Sequence, residues 1–283
     1  MKTILITGIN GYLGSHLAKS LSTKFNIVGL EYSLKNLFRI KDLDYIVYSV
    51  ENGVPEGLFT EQDIDIIIHA ATFYGRTNEV VKTIANANLF IPFDLLDKAI
   101  ANNCKLFINT DTVLDRFVSP YSLTKKHFQE WLFMRRKAIK VINMQLEHFY
   151  GPGCSKSNFI TSMIDRLRNN ENSIDLTLGD QKRDFIYISD VVSAYMTVLH
   201  QAENILDNYS LFQVSTKQVI SIKDLMLFLK EITGSTTILN FGAHPYRENE
   251  LMYSETDNTG LMDLGWKSKY KIQDGIKLTL SDA

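Results

Sequence analysis

The sequence predicts an α/β fold, a doubly wound parallel sheet followed by a smaller, discontinuous C-terminal part. Three observations predict it. Short β-type runs alternate with amphipathic helical stretches as far as residue 148. Most of those runs are apolar throughout, as strands are when helices cover both sheet faces. The first run ends in a glycine-rich turn that opens a helix.

In order, the expected strands are Lys2–Thr7, Asn26–Glu31, Tyr45–Val50, Ile64–His69, Lys105–Asn109 and Val141–Leu146. Amphipathic stretches Tyr12–Thr23, Lys82–Asn102 and Tyr121–Ala138 lie between them. Past residue 148 the pattern loosens. Segments 150–185 and 216–283 mix turns, short helices and polar stretches, whereas Thr197–Ala202 and Leu211–Ser215 read as a return to the main sheet. The expected division is therefore 1–148 with about 186–215 as the dinucleotide-binding domain, and 149–185 with 216–283 as the substrate-binding domain.

Composition excludes several classes. The 283 residues suffice for a substantial core, and a net charge of −2 from 30 basic and 32 acidic residues suggests neither nucleic acid nor an acidic membrane surface as partner. No run approaches a membrane span, and the apolar start Ile4-Leu5-Ile6 is too short for a secretory segment. Cys104 and Cys154 form neither a disulfide framework nor a metal spacing, so reduced thiols, a cytoplasmic location and no metal are expected.

The turn reads Thr7-Gly8-Ile9-Asn10-Gly11-Tyr12-Leu13-Gly14. Gly8 permits the tight bend, Gly11 lets the backbone approach a pyrophosphate, and Gly14 lets helix and strand pack closely. Amides at the helix start, including those of Tyr12 and Leu13, would face the anion. Glu31 closes the second strand where a carboxylate would meet the adenosine ribose. It favours NAD(H) over NADP(H), although Lys35 and Arg39 just beyond could accommodate the extra phosphate.

Tyr121 and Lys125 stand four apart, on one helix face. Among 13 tyrosines this is the one with lysine at that spacing. A tyrosine near pKa 10 is a poor base, and a neighbouring ammonium would lower that value. Thr110, at the end of the preceding strand, could converge with the phenol on one substrate oxygen.

These stretches, with His69-Ala70-Ala71, Thr110-Asp111, Tyr150-Gly151-Pro152, Gly179…Arg183-Asp184-Phe185-Ile186-Tyr187 and Leu264-Gly265-Trp266, resemble the extended short-chain dehydrogenases/reductases in family order. More narrowly they resemble the nucleotide-sugar epimerase/dehydratase group. Ala71–Arg76 and Asn109–Thr112 are similar to abequose-synthase-like sugar-nucleotide 4-ketoreductases.

The resemblance implies a Rossmann-type fold and a set of roles. Thr110 would hydrogen-bond the reacting sugar oxygen, Tyr121 would be the general acid/base, and Lys125 would bind the nicotinamide ribose and tune Tyr121. Gly8, Gly11, Gly14, Tyr12 and Leu13 would cradle the pyrophosphate, Glu31 the ribose, and Ala70 and Ala71 would line the cofactor groove. Arg183 and Arg247 would hold the diphosphate of a nucleoside-diphosphate sugar. Asp111, Arg76 and His148, which stands where relatives carry asparagine, are further candidate substrate contacts. A strand-end or capping role for Asp111 and a structural role for His148 stay open. Helices 82–102 and 121–138 would pair with a second subunit as a homodimer.

Two departures matter. Dehydratases carry glutamate where this chain has Thr112, which argues against removal of water across two sugar carbons. Only ten residues, 111–120, separate Thr110 from Tyr121, leaving little loop to cover a sugar. The expected reaction is therefore reduction of a 4-keto-6-deoxyhexose on a nucleoside diphosphate by hydride transfer at carbon 4. A 4-epimerase comes next and a 4,6-dehydratase after it. The rival from another class is a non-catalytic dinucleotide sensor, against which the Thr110/Tyr121/Lys125 set argues.

Overall fold

A computed structural model describes residues 1–75 and 79–281. The chain forms two compact units. The first comprises Met1–Leu146, Val192–Val214 and Gly260–Trp266; the second comprises Glu147–Val191, Ser215–Thr259 and Lys267–Ala283.

In the first unit, β1 (Thr3–Thr7) leads through the glycine turn into α1 (Tyr12–Leu21), followed by β2 (Asn26–Glu31), β3 (Ile46–Ser49), α2 (Leu58–Glu61) and β4 (Ile66–His69). Helix α3 (Val81–Ala85) runs through a π-helical turn (Asn86–Phe90) into α4 (Ile91–Ala101). Then come β5 (Leu106–Thr112), α5 (Pro120–Arg135) and β6 (Lys140–Leu146).

The second unit adds β7 (His148–Tyr150), α6 (Phe159–Arg168), β8 (Ser173–Leu176) and β9 (Lys182–Tyr187). Helix α7 (Ile188–Gln201) leads back to β10 (Tyr209–Val214). Beyond lie β11 (Val219–Ser221), α8 (Ile222–Thr233), β12 (Ile238–Phe241), α9 (Thr259–Asp263) and α10 (Ile272–Ser281).

The main sheet has seven parallel strands in the order β10-β6-β5-β4-β1-β2-β3. Its direction of progression reverses between β1 and β4, and in such sheets ligands sit at that point, beyond the carboxyl ends of the strands. Alternation along the strands sends Leu5, Val28, Ile67, Phe107 and Val141 to one face, where they bury against Leu95 and Leu96 of α4 and Phe128 and Leu132 of α5. The opposite parity, Ile4, Ile6, Ile68, Ile108 and Ile142, is equally buried, which explains why these strands show no polar face. In the second unit β11, β9 and β7 form one small sheet, and β8 pairs with β12.

Three expectations change. Residues 197–202 were expected as strand, but 197–201 continue α7, whose buried Val191, Ala194, Tyr195 and Val198 recur at helical spacing. Residues 147–148 and 186–191 join the second unit because β9 pairs with β7 and β11, and 260–266 join the first. From sequence the basic cluster Lys125, Lys126, Arg135, Arg136 and Lys137 reads as a mostly solvated helix face, yet Lys125 is 2% exposed and the Lys126 side chain 13%. Among the described residues, no helix is long and apolar enough to cross a membrane.

Candidate active site

The glycine turn lies at the reversal point of the sheet. Gly8 takes φ +64°, and a Cβ there would fall 2.8 Å from Ala71 Cα. A Cβ at Gly11 would lie 2.8 Å from the Gly8 carbonyl oxygen, and one at Gly14 only 2.1 Å from it. All three positions thus lack room for a side chain. Gly11 precedes α1 without any side-chain cap, so the positive end of the helix dipole stays open to an anion. This cradle fits a dinucleotide pyrophosphate.

Ala71 is held beside the turn by a short chain of hydrogen bonds. Its amide donates to Thr7 Oγ1 at 3.0 Å, and Thr7 Oγ1 lies 2.8 Å from His69 Nδ1. The hydroxyl accepts from Ala71 and shares a second hydrogen bond with the neutral His69 ring, whose tautomer sets the donor. Burial, followed by the charge of Lys125, holds His69 well below the usual histidine range, consistent with that form.

Glu31 accepts from the amides of Asn10 (2.9 Å) and Tyr32 (3.0 Å). Asn10 in turn accepts from the Arg39 amide at 3.0 Å and donates to the Asn36 carbonyl at 3.0 Å. The carboxylate therefore ties the glycine turn to segment 36–39 and still has lone pairs for a ribose hydroxyl.

At the other side of the reversal point, Ser119 and Ser122 form a reciprocal capping box, and Pro120 opens α5. That sets Tyr121 at the first turn and Lys125 one turn further on. The Tyr121 ring packs on Tyr74, centroids 4.8 Å apart. The segment carrying Thr72 and Tyr74 is pinned by Asn88 on the π-helical turn. Its amide accepts from Phe73 N at 2.9 Å, donates to Phe73 O at 2.9 Å and reaches Thr124 Oγ1 at 3.2 Å.

The electrostatics differ from the expectation. Burial, then Tyr74 and Asp111, raise the Tyr121 phenol well above the ordinary tyrosine value, while the neighbouring hydroxyls of Thr112 and Thr72 pull it down. Burial pushes the Lys125 ammonium down to about 8 against the opposing pull of Asp111. Burial therefore favours the protonated phenol over the phenolate.

Thr110 is the one residue of β5 that is not buried. Its Oγ1 bonds to Tyr195 on α7 at 2.7 Å rather than to Tyr121. Asp111, offered as a substrate contact, lies inside. Its side chain is fully covered and accepts from Thr112 N (2.7 Å), Asn143 (2.9 Å), Gln145 (3.1 Å) and Lys126 (3.3 Å). Four donors saturate a carboxylate, so the strand-end role replaces the substrate contact.

In the second unit, His148 Nδ1 lies 3.1 Å from buried Glu147, which also accepts from Ser254 Oγ. Arg183, 7% exposed, donates to Lys182 O at 2.9 Å and to Glu250 Oε1 at 2.5 Å. The expected diphosphate ligand is thus ion-paired. Arg247 is exposed on the same loop as Glu250, with its carbonyl accepting from the Glu250 amide. Arg76 lies outside the described residues.

Sequence reading missed Thr72, Tyr74, Asn88, Thr112 and Tyr195 as neighbours of the reacting groups. Thr72, Tyr74 and Thr112 fell within motifs it had singled out. Asn88 sits in an apolar helix and Tyr195 in an apolar run, and neither carries a local signal.

Comparison with known proteins gives a consistent picture. Residues 4–211 match the family described as NAD dependent epimerase/dehydratase family. The chain is 32% identical to CDP-abequose synthase of Salmonella typhimurium over 97% of its own length and 96% of that protein. In fold it resembles the UDP-glucose 4-epimerase of Thermotoga maritima, solved with UDP-glucose (TM-score 0.86, 23% identity, 99% and 98% coverage). It also resembles the UDP-glucuronic acid 4-epimerase of Bacillus cereus, solved with UDP-glucuronic acid and NAD (TM-score 0.86, 21% identity, 99% and 98% coverage).

Proposed function

The chain belongs to the NAD dependent epimerase/dehydratase family of extended short-chain dehydrogenases/reductases, enzymes of nucleotide-sugar chemistry, and from that premise we propose that it reduces the 4-keto group of a nucleoside-diphosphate 6-deoxyhexose. One observation carries the reading: the phenol of Tyr121 stands at the first turn of α5, against the Tyr74 ring and one turn from Lys125, where burial favours its protonated form. A carbonyl being reduced needs a proton delivered to its oxygen, and a protonated phenol can donate one.

A dehydratase needs free acid and base groups at the strand end. Asp111 is saturated by its partners and Thr112 has no carboxylate. The relative named CDP-abequose synthase supports a sugar-nucleotide substrate.

In this reading Gly8, Gly11, Gly14 and the amides of Tyr12 and Leu13 hold the pyrophosphate, Ala70 and Ala71 line the groove, and Glu31 meets the ribose and favours NAD(H) over NADP(H). The nicotinamide, when bound, supplies the hydride. Thr110 and Tyr121 hold the sugar oxygen as it gains charge, and Tyr121 releases its proton to that oxygen. Lys125, one turn away, stabilises the phenolate left behind. Arg183 and Arg247 are the diphosphate contacts in this reading, with the diphosphate competing with Glu250 for Arg183, and His148 is a further substrate contact.

Incubation with a nucleoside-diphosphate 4-keto-6-deoxyhexose tests the reaction. Stoichiometric consumption of reduced dinucleotide is expected. Turnover sustained by a catalytic amount would make the chain a 4-epimerase.

The Lys125 value gives a second check. If its charge supports Tyr121, log kcat should fall by about one per pH unit above pH 8. Unfolding is not the cause of such a fall. The folded pKa lies below the ordinary 10.5, so between about 8 and 10.5 the unfolded chain binds the extra proton. This group therefore makes the fold more stable as pH rises through that window. A rate flat to pH 9.5 would remove the ammonium from the mechanism.

A homodimer through α3–α4 and α5 is part of the proposal. Val81 (64%), Phe90 (60%), Trp131 (55%) and Met134 (69%) are exposed on these helices. Phe90, Phe93 and Trp131 form one contiguous ring cluster across them. Sedimentation at twice the 32.3 kDa chain mass is the expected result.

A further inference from the structure

Tyr195 is fully buried, yet it carries a hydroxyl where phenylalanine would fill the same space. A buried hydroxyl is costly unless it is hydrogen-bonded. Here the bond runs to Thr110 Oγ1 at 2.7 Å, between residues 85 apart in the chain. Either oxygen could be the donor, and burial decides which. Tyr195 lies wholly in the interior and has no water to receive its proton, whereas Thr110 alone on β5 is partly open. The arrangement that satisfies both hydroxyls has Tyr195 donating to Thr110 and Thr110 directing its own proton outward.

Burial raises the Tyr195 pKa, with the Thr110 contact opposing it, so the phenol keeps the proton it donates. Donation into Thr110 also polarises the outward O–H, since hydrogen bonds in a chain strengthen one another.

We propose that Tyr195 is a positioning residue for the reduction: its hydroxyl orients Thr110 as a one-way donor to the reacting sugar oxygen. This rests on the reading of Thr110 as the hydroxyl that meets that oxygen. Were the Thr110 proton turned toward Tyr195, the threonine could only accept, and an oxygen gaining negative charge would find no donor there.

The test is a cycle of Tyr195→Phe, Thr110→Val and the double variant, in the full chain with reduced dinucleotide and a nucleoside-diphosphate 4-keto-6-deoxyhexose. Tyr195→Phe should lower kcat about tenfold, with KM, dinucleotide affinity and melting temperature nearly unchanged. In the Thr110→Val background the same change should alter kcat by less than about twofold, because the group it acts through is gone. Equal fractional losses in both backgrounds would show that Tyr195 acts by packing and would overturn the proposal. So would a wild-type rate for Tyr195→Phe while Thr110→Val is impaired. A wild-type rate for Thr110→Val would instead remove the reading of Thr110, and the proposal with it.

Discussion

Tyr121→Phe is expected to lower turnover by about 10²- to 10⁴-fold, the range of a positioned general acid. The change removes one oxygen and little else. The capping box at Ser119 and Ser122 is untouched, the ring still packs on Tyr74, and Asn88 still clamps Phe73. Dinucleotide affinity, which depends on the glycine turn, should stay within about threefold. Stopped-flow consumption of reduced dinucleotide, with a fluorescence titration of its binding, measures both. Survival of most of the activity would mean that the proton comes from elsewhere, and the reading of this site would fall. The neighbouring hydroxyls of Thr72 and Thr112 cannot substitute, since an aliphatic alcohol is a far weaker acid than a phenol.

Gly14→Ala should cost both fold and cofactor. The new methyl would lie 2.1 Å from the Gly8 carbonyl oxygen and 2.8 Å from its carbon, well inside contact distance. The obstacle is backbone rather than the tip of a flexible side chain, so α1 must move off the end of β1. Overpacking of this kind costs roughly 1–3 kcal/mol. The displaced helix also carries its amides away from the pyrophosphate. A loss of dinucleotide affinity of about 100-fold is expected, since each tenfold corresponds to about 1.4 kcal/mol of misplaced contacts. Calorimetric titration and urea unfolding would read the two effects separately. Unchanged dinucleotide binding would show that the cofactor does not use this turn.

The seven-stranded parallel sheet follows closely from the sequence: six of its strands overlap the expected runs, and the seventh, β10, overlaps Leu211–Ser215, expected to return to the sheet. The segment 197–202 misled because six residues with Val198 alone buried are too few to show a helical period, which emerges only with Val191, Ala194 and Tyr195 upstream. Periodicity separates helix from strand only over a longer window.

Legible without coordinates were features whose geometry is local. Glycines three apart after a strand define a turn, and tyrosine and lysine four apart share a helix face, whatever surrounds them. Charge state and partnership were not legible in this way. Asp111 is saturated by donors from β6 and α5, Thr110 answers to a tyrosine 85 residues on, and Arg183 is paired with a glutamate 67 residues away. Even the direction of the Tyr121 pKa depended on what buries it. Solvation and hydrogen-bond satisfaction arise from contacts between distant segments. The same carboxylate, phenol or ammonium is a reactant in one neighbourhood and part of the frame in another, and only folding brings that neighbourhood together.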